Sequence, residues 1–291
     1  MIPYGRQEIV DEDVEAVNQI LKSDFLTQGP MVPKFESALT AITGAKFATA
    51  VNSATSALHL ACLALGVGKG DIVWTVPNTF VASANCALYC GAEIDFVDID
   101  PTSFNLCIVS LEQKLKLAKK TDHLPKVLIP VHLTGEPCNV VGIKRLSEEY
   151  GFKIIEDASH AVGGKYRGKP IGACEFSDIT VFSFHPVKII TSGEGGAALT
   201  NDFELDQRLK LLRSHGITRE KCLMEFPSDD GWYYEQIDLG YNYRMTDIHA
   251  ALGLSQLSRL NQYVSRRHEI AKIYDNELKN TGIQLPVRAE E

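Results

Sequence analysis

The sequence predicts an α/β protein built on a mostly parallel sheet with helices on both faces. Two observations carry this. Short apolar, strand-like runs alternate with stretches of helical periodicity from residue 48 to residue 213, the pattern of strands joined by crossover helices. No internal repeat or low-complexity linker interrupts the alternation, and 291 residues suffice for one large domain with an appendage and a sizeable core.

Taken in order, residues 11–22 carry Val14, Val17 and Leu21 at helical spacing behind an acidic first turn and form a leading helix. Strands are expected at 48–51, 72–76, 94–97, 127–131, 153–155, 179–184 and 197–199, and helices at 55–65, 79–90, 110–119, 140–150 and 202–213. From Asp247 to Leu278 a long helical pattern leaves the sheet domain. Residues 1–246 are accordingly an N-terminal arm, helix and large domain, and 247–291 a long helix with the start of a smaller domain. Gly66-Val67-Gly68-Lys69-Gly70 imitates a dinucleotide-binding loop, but it closes a helix and precedes a strand, the reverse of the required order.

Candidate chemistry lies at the strand ends. Lys188 follows the apolar run 179–182 and precedes glycines 193, 195 and 196. An apolar setting lowers a lysine pKa toward the neutral amine that attacks carbonyls, whereas a lysine at a strand end is ordinarily solvated. The run 153–155 leads straight into Glu156-Asp157-Ala158-Ser159-His160. A carboxylate at the carboxyl end of such a strand points into the ligand crevice, where it would hold the ring nitrogen of pyridoxal phosphate (PLP) protonated; the bland alternative is a helix cap. Thr55 and Ser56 fall at the start of a helical stretch, as a phosphate cradle or as ordinary N-caps. Phe80, after another strand-like run, would lie flat on a planar ring or belong to the core.

In this order, Asn52-Ser53-Ala54-Thr55-Ser56, Pro77-Asn78-Thr79-Phe80, Glu156-Asp157-Ala158-Ser159-His160, Ser183-Phe184-His185-Pro186-Val187-Lys188 and Gly240-Tyr241-Asn242-Tyr243-Arg244 resemble the sugar aminotransferases of the DegT/DnrJ/EryC1/StrS family, PLP enzymes of fold type I. The resemblance covers nearly the whole chain. Fragments such as residues 1–7, Leu26-Thr27-Gln28-Gly29-Pro30 and 231–247 are most similar to the pseudaminic acid branch. The resemblance implies Lys188 as Schiff-base lysine and proton shuttle, Asp157 on the pyridinium nitrogen, Phe80 stacked on the ring and His160 near the cofactor. It implies Ala54, Thr55 and Ser183 on the phosphate, joined by Asn242 from a neighbouring subunit of a homodimer with shared sites. Thr27, Gln28 and Arg244 would read the amino acid or the nucleotide sugar. The implied reaction moves an amino group from L-glutamate to C4 of a UDP-4-keto-6-deoxy-N-acetylhexosamine, the alternatives being an aminotransferase for another nucleotide-linked keto sugar or a truncated, non-catalytic PLP-binding or dimerisation homologue. Family members continue beyond Gln284-Leu285-Pro286 into a small domain that closes over the site, so the resemblance also implies that this chain is truncated.

Composition excludes several other classes. Twenty-nine basic against 37 acidic residues give a net charge of −8, which argues against a nucleic-acid footprint. The basic stretches 114–120 and 266–268 are broken by apolar residues and read as solvated faces. No run of 18 apolar residues occurs and the first residues lack a signal-peptide core, so no membrane role and a cytoplasmic location are expected. Seven scattered cysteines without a C-x-x-C pair read as reduced and structural, and the dispersed histidines suggest no metal site.

Overall fold

The computed structural model describes residues 5–286. Met1–Tyr4 of the N-terminal motif and Val287–Glu291 of the chain end lie outside the described residues. In chain order the strands are β1 (Phe47–Val51), β2 (Ile72–Thr75), β3 (Glu93–Phe96), β4 (Val127–Leu128) and β5 (Lys153–Asp157). After a short hairpin of β6 (Lys165–Tyr166) and β7 (Lys169–Pro170) come β8 (Ile179–Ser183) and β9 (Gly196–Thr200). A second small hairpin pairs β10 (Ile217–Thr218) with β11 (Glu235–Gln236). The helices are α1 (Asp11–Leu21), α2 (Met31–Thr43), α3 (Ala54–Ala64), α4 (Ala82–Tyr89), α5 (Ile108–Thr121), α6 (Val140–Tyr150), α7 (Phe203–Arg213), α8 (Asp247–Leu257) and α9 (Leu260–Leu278).

Seven strands form one sheet in the order β1-β9-β8-β5-β4-β2-β3. From β3 to β8 every neighbouring pair is parallel, and β9 runs antiparallel to both β8 and β1. Each expected strand is present, and the sheet is mostly parallel as expected.

Strand alternation assigns side chains to the two faces. Ile179 and Val181 of β8 and Ala198 of β9 join the core beneath α3, α4 and α7. Phe182, Ala197 and Leu199 turn to the opposite face, where Val32, Phe35 and Leu39 of α2 and Ala250 and Leu257 of α8 cover them. Leu111 and Leu115 of α5 and Ile143 and Leu146 of α6 cover β2, β4 and β5.

Two features depart from the expected element list. Helix α2 was not anticipated: its Pro33 sits in the first turn, where a missing N–H breaks no intrahelical bond. The helical pattern of residues 247–278 is two helices, broken at Ser258 and Arg259, and the first packs against α1 and α2 rather than leaving the sheet domain.

At that break Arg259 turns its guanidinium onto Asp13 of α1, at 2.7 and 2.8 Å. Asp13 is 1% exposed and also accepts from Ser255 Oγ and Gln256 Nε2, each at 2.6 Å, and from the backbone N–H of Val10. Burial pushes this carboxyl up, but the hydrogen bonds, led by that of Arg259, outweigh it and hold it below the ordinary aspartate range. Removing one partner of a buried pair leaves the other charge uncompensated. Asp13→Ala should therefore destabilise the fold by about 3 kcal/mol at neutral pH in urea denaturation. Because the folded-state pKa is depressed, the gap between wild type and variant should be full above pH ~4 and close as pH falls through the folded-state value. A gap unchanged at pH 3 would remove Asp13 from this role.

Candidate active site

Parallel strands place their carboxyl ends on one edge of the sheet. Strand β9, being reversed, begins at that same edge. The loop 184–195 between β8 and β9 therefore never leaves it. A cavity of about 460 Å³ opens there, lined among other residues by Ala54, Thr55, Phe80, Asp157, His160, Ser183 and Lys188.

Asp157 ends β5 and is 4% exposed. Its Oδ2 accepts from Ser83 Oγ of α4 at 2.7 Å, and its Oδ1 accepts from Ser159 Oγ at 2.6 Å and Ser159 N–H at 3.1 Å. No helix follows it, so the cap reading fails. The preceding Glu156 points to the opposite face by alternation, where it meets His132 Nε2 at 2.7 Å. Cys138 N–H donates to Nδ1 of the same ring, so Nε2 carries the proton given to Glu156.

Lys188 is half-buried in the loop between β8 and β9, with Nζ 2.6 Å from His160 Nε2. At that separation one nitrogen donates and the other accepts, so the pair holds at least one lone pair. Burial pushes the Lys188 ammonium below its ordinary range, while the Asp157 carboxylate pulls the other way. His160 is lowered by burial and by Lys188, with a smaller contribution from Arg267. Arg267 of α9 also donates to the Lys188 carbonyl at 3.2 Å and pins the loop.

The cradle forms at the start of α3. Ser53 is the N-cap, accepting from Ser56 N–H at 3.1 Å. With the cap thus filled, the N–H groups of Ala54 and Thr55 have no intrahelical acceptor, and both residues line the cavity, where a helix N-terminus suits an anion. Gly196 permits this packing: a Cβ there would sit 2.4 Å from Ala54 N. Phe80 is 74% exposed, which rules out a core role.

Thr27, Gln28, Asn242 and Arg244 do not line the cavity. Isolated bridges tie Asn242 to Ser214, Arg244 to Val51 and Thr246 to Thr27, so the 242–246 segment crosses the end of β1 and meets the Thr27–Gln28 loop. Asp247 fixes that loop, accepting from Gly29 N–H and Met31 N–H at 2.7 Å each. Sequence reasoning missed Ser83, Ser159 and His132. Ser159 was readable two residues after Asp157, whereas Ser83 lies 74 positions away with no local signal.

The cavity suits PLP in every part: an amine that loses its proton easily, a buried carboxylate for a ring nitrogen, and free N–H groups for a phosphate. Comparison with known proteins agrees. Residues 7–291 match the DegT/DnrJ/EryC1/StrS aminotransferase family. The UDP-4-amino-4,6-dideoxy-N-acetyl-beta-L-altrosamine transaminase of Campylobacter jejuni is 42% identical over 279 residues, 96% of this chain and 70% of that protein. Among solved structures, PseC of Helicobacter pylori, an aminotransferase of pseudoaminic acid biosynthesis, superposes with a TM-score of 0.85 at 35% identity, covering 96% of this chain and 71% of that one. The PLP form of Spr1654 from Streptococcus pneumoniae gives 0.83 at 30% identity, covering 96% and 72%. The chain belongs to the DegT/DnrJ/EryC1/StrS family of sugar aminotransferases, whose members use PLP.

Burial and the Asp157 carboxylate act on Lys188 in opposite directions, and substitution separates them. Asp157→Asn removes the charge that favours the ammonium, so the Lys188 pKa should fall further below its ordinary value. Reductive methylation with ¹³C-formaldehyde and an NMR pH titration would report it. An unchanged or raised value would mean that Asp157 does not act on Lys188.

Proposed function

We propose that this chain is a PLP-dependent aminotransferase that moves an amino group from L-glutamate to C4 of a UDP-4-keto-6-deoxy-N-acetylhexosamine, giving UDP-4-amino-4,6-dideoxy-N-acetyl-β-L-altrosamine. One observation carries this reading: Lys188, His160, Asp157, Ser183 and the Ala54–Thr55 cradle line a single cavity. The sugar assignment is supported by the likeness to the Campylobacter and Helicobacter proteins.

Bound PLP supplies an electron sink conjugated to the carbon that exchanges the amino group. Lys188 Nζ, with its lone pair available, takes the proton from the donor's α-carbon and later returns one to the sugar's C4. His160 Nε2, 2.6 Å away, holds the Lys188 proton between these moves. Asp157, kept in place by Ser83 and Ser159, would meet the ring nitrogen and favour its charged form. Ala54, Thr55 and the Ser183 hydroxyl would hold the phosphate, and Phe80 would cover a ring face. Val131, Leu58, Leu133 and Val187 add apolar surface to a lining that also carries Asn78, Thr134 and Glu194. Release of the keto acid before the sugar binds gives ping-pong kinetics.

Asn242 supports a homodimer in this reading. Asn242, whose motif resembles the family's cofactor-binding segment but which does not line its own subunit's cavity, would serve the partner's site. Thr27, Gln28 and Arg244, joined through the Thr27 and Thr246 bridge, form the substrate-reading rim.

The direct test incubates the protein with PLP, L-glutamate and a panel of UDP-4-keto sugars, with products identified by mass spectrometry. Amination of a different epimer would revise the substrate, and loss of turnover in Lys188→Ala should accompany any product. Asp157→Asn should retain PLP but lose on the order of 10³-fold in amine transfer; near-normal transfer would reduce Asp157 to a structural residue. Mixed dimers of Lys188→Ala and Asn242→Ala subunits should regain activity that neither variant shows alone. Their failure to complement would refute the shared site.

A further inference from the structure

Resting on the aminotransferase reading above, we propose that Thr134 is a specificity-determining residue for the acceptor sugar, its Oγ1 taking a hydrogen bond from a hydroxyl or amide N–H on the sugar ring. Thr134 adopts φ +57° and ψ +9°, in the left-handed region, in the turn that follows β4. Branching at Cβ makes that conformation costly, whereas glycine adopts it freely and asparagine with little strain. The next residue of the turn is also left-handed, at φ +97°, and is a glycine, Gly135. A threonine kept where the backbone favours glycine implies that its side chain has work outside the turn.

Buried groups hold the turn in this shape. Asn105, 4% exposed, accepts from Leu133 N–H at 3.1 Å and donates through Nδ2 to the Glu136 and Pro137 carbonyls at 3.0 and 3.3 Å. Within the turn Gly135 N–H donates to the His132 carbonyl at 3.1 Å, and the His132 ring is itself buried against Glu156. Gly135 backs onto His160, where a Cβ would sit 2.7 Å from the carbonyl oxygen. His160 is the ring that meets Lys188. The frame that offsets the strain therefore ties the turn to the buried Glu156 pair and to the amine centre.

Thr134 is exposed and lines the cavity together with Leu133, His160 and Lys188. Its hydroxyl donates to the Leu133 carbonyl at 2.7 Å, which commits the proton away from any ligand. Lone pairs remain on Oγ1, and no described residue donates to them. A hydroxyl whose proton is already placed acts toward a ligand as an acceptor alone. It recognises a hydroxyl or an amide N–H and gains nothing from a carbonyl, carboxylate or phosphate oxygen. Of the two substrates, L-glutamate offers two carboxylates and the amine that reacts, whereas the sugar ring carries neutral donors, the 2-acetamido N–H and the 3-hydroxyl. The sugar is thus the partner that Oγ1 fits.

The test uses the full chain loaded with PLP and separates the two halves of the reaction. Conversion of PLP by L-glutamate, followed by its visible absorbance, should run at the wild-type rate in Thr134→Val and Thr134→Ser. Thr134→Val keeps the branch and loses the acceptor, so kcat/KM for the sugar should fall by about tenfold, the worth of one neutral hydrogen bond. Thr134→Ser, which keeps the hydroxyl, should retain most of it. The Thr134→Val penalty should vanish for one of two analogues, the 2-deoxy or the 3-deoxy UDP-4-keto sugar, and so identify the donor.

Thr134→Gly should lose the sugar step in the same way, yet the unliganded variant should melt no lower than wild type. Relief of the left-handed strain offsets the lost bond to Leu133 and the added freedom of the unfolded chain. A Thr134→Gly that melts well below wild type would mean that the side chain serves only the turn, and overturns the proposal. So does a Thr134→Val that matches wild type on the sugar, slows the glutamate step equally, or keeps its penalty on both analogues. A wild type that aminates no sugar removes the aminotransferase reading and this proposal with it; normal amination with an indifferent Thr134→Val removes the proposal alone.

Discussion

Two adjacent carboxylates, Glu156 and Asp157, end β5 inside the protein, and much of the site is arranged to keep them there. Alternation sends them to opposite faces, so neither can be satisfied by the other's partner. Both are nearly solvent-free, where an unsatisfied charge is expensive. Glu156 is answered by His132, whose second nitrogen is fixed by Cys138 N–H, and this sets the turn after β4. The His132 bond holds the Glu156 carboxyl below the usual glutamate range despite the opposing push of burial. Asp157 is answered by Ser83 and Ser159, which positions α4 and the turn carrying His160. With Asp157 placed, Lys188 feels one fixed negative charge and one desolvating wall.

The reversed strand β9 solves a second problem. A parallel continuation from β8 would need a crossover, and Lys188 would be carried away from the carboxyl edge. The antiparallel return keeps residues 184–195 as a loop over the sheet edge and brings Gly196 back beside the first peptide of α3. The phosphate cradle and the amine thus come from sequence positions more than 130 residues apart yet share one packing contact.

The parts of this arrangement that were legible in the sequence are local ones. Buried strands read as apolar runs, and Asp157, Lys188, Phe80 and the Ala54–Thr55 turn each follow such a run within a few residues. What could not be read is pairing across distance: Ser83 with Asp157, His132 with Glu156, and Arg259 with Asp13, separated by 74, 24 and 246 positions. The single helix expected over residues 247–278 failed for the same reason. Its break brings Arg259 to a carboxylate on α1 that periodicity cannot see. Helix α2 escaped because Pro33 and the Thr40 and Thr43 positions weaken its propensity signal, while tertiary burial of Phe35 and Leu39 supplies its stability. The cysteines read as reduced and structural from their scatter, and all seven are free thiols in the fold.

Helix α3 connects these elements mechanically. Its first turn presents the cradle, and on the helix beyond that turn His59 holds the Tyr243 hydroxyl and Cys62 faces α4. Tyr243 is stacked on Tyr241 at 5.0 Å, so His59 anchors the segment that carries Asn242 between them. The backbone of Tyr243 is held as well, accepting from Asn52 N–H at 2.9 Å just before the cradle. A change at His59 therefore acts on a segment fixed at two points, both on or beside α3. A rearrangement that frees His59 from Tyr243 loosens one anchor while the Asn52 bond retains the other.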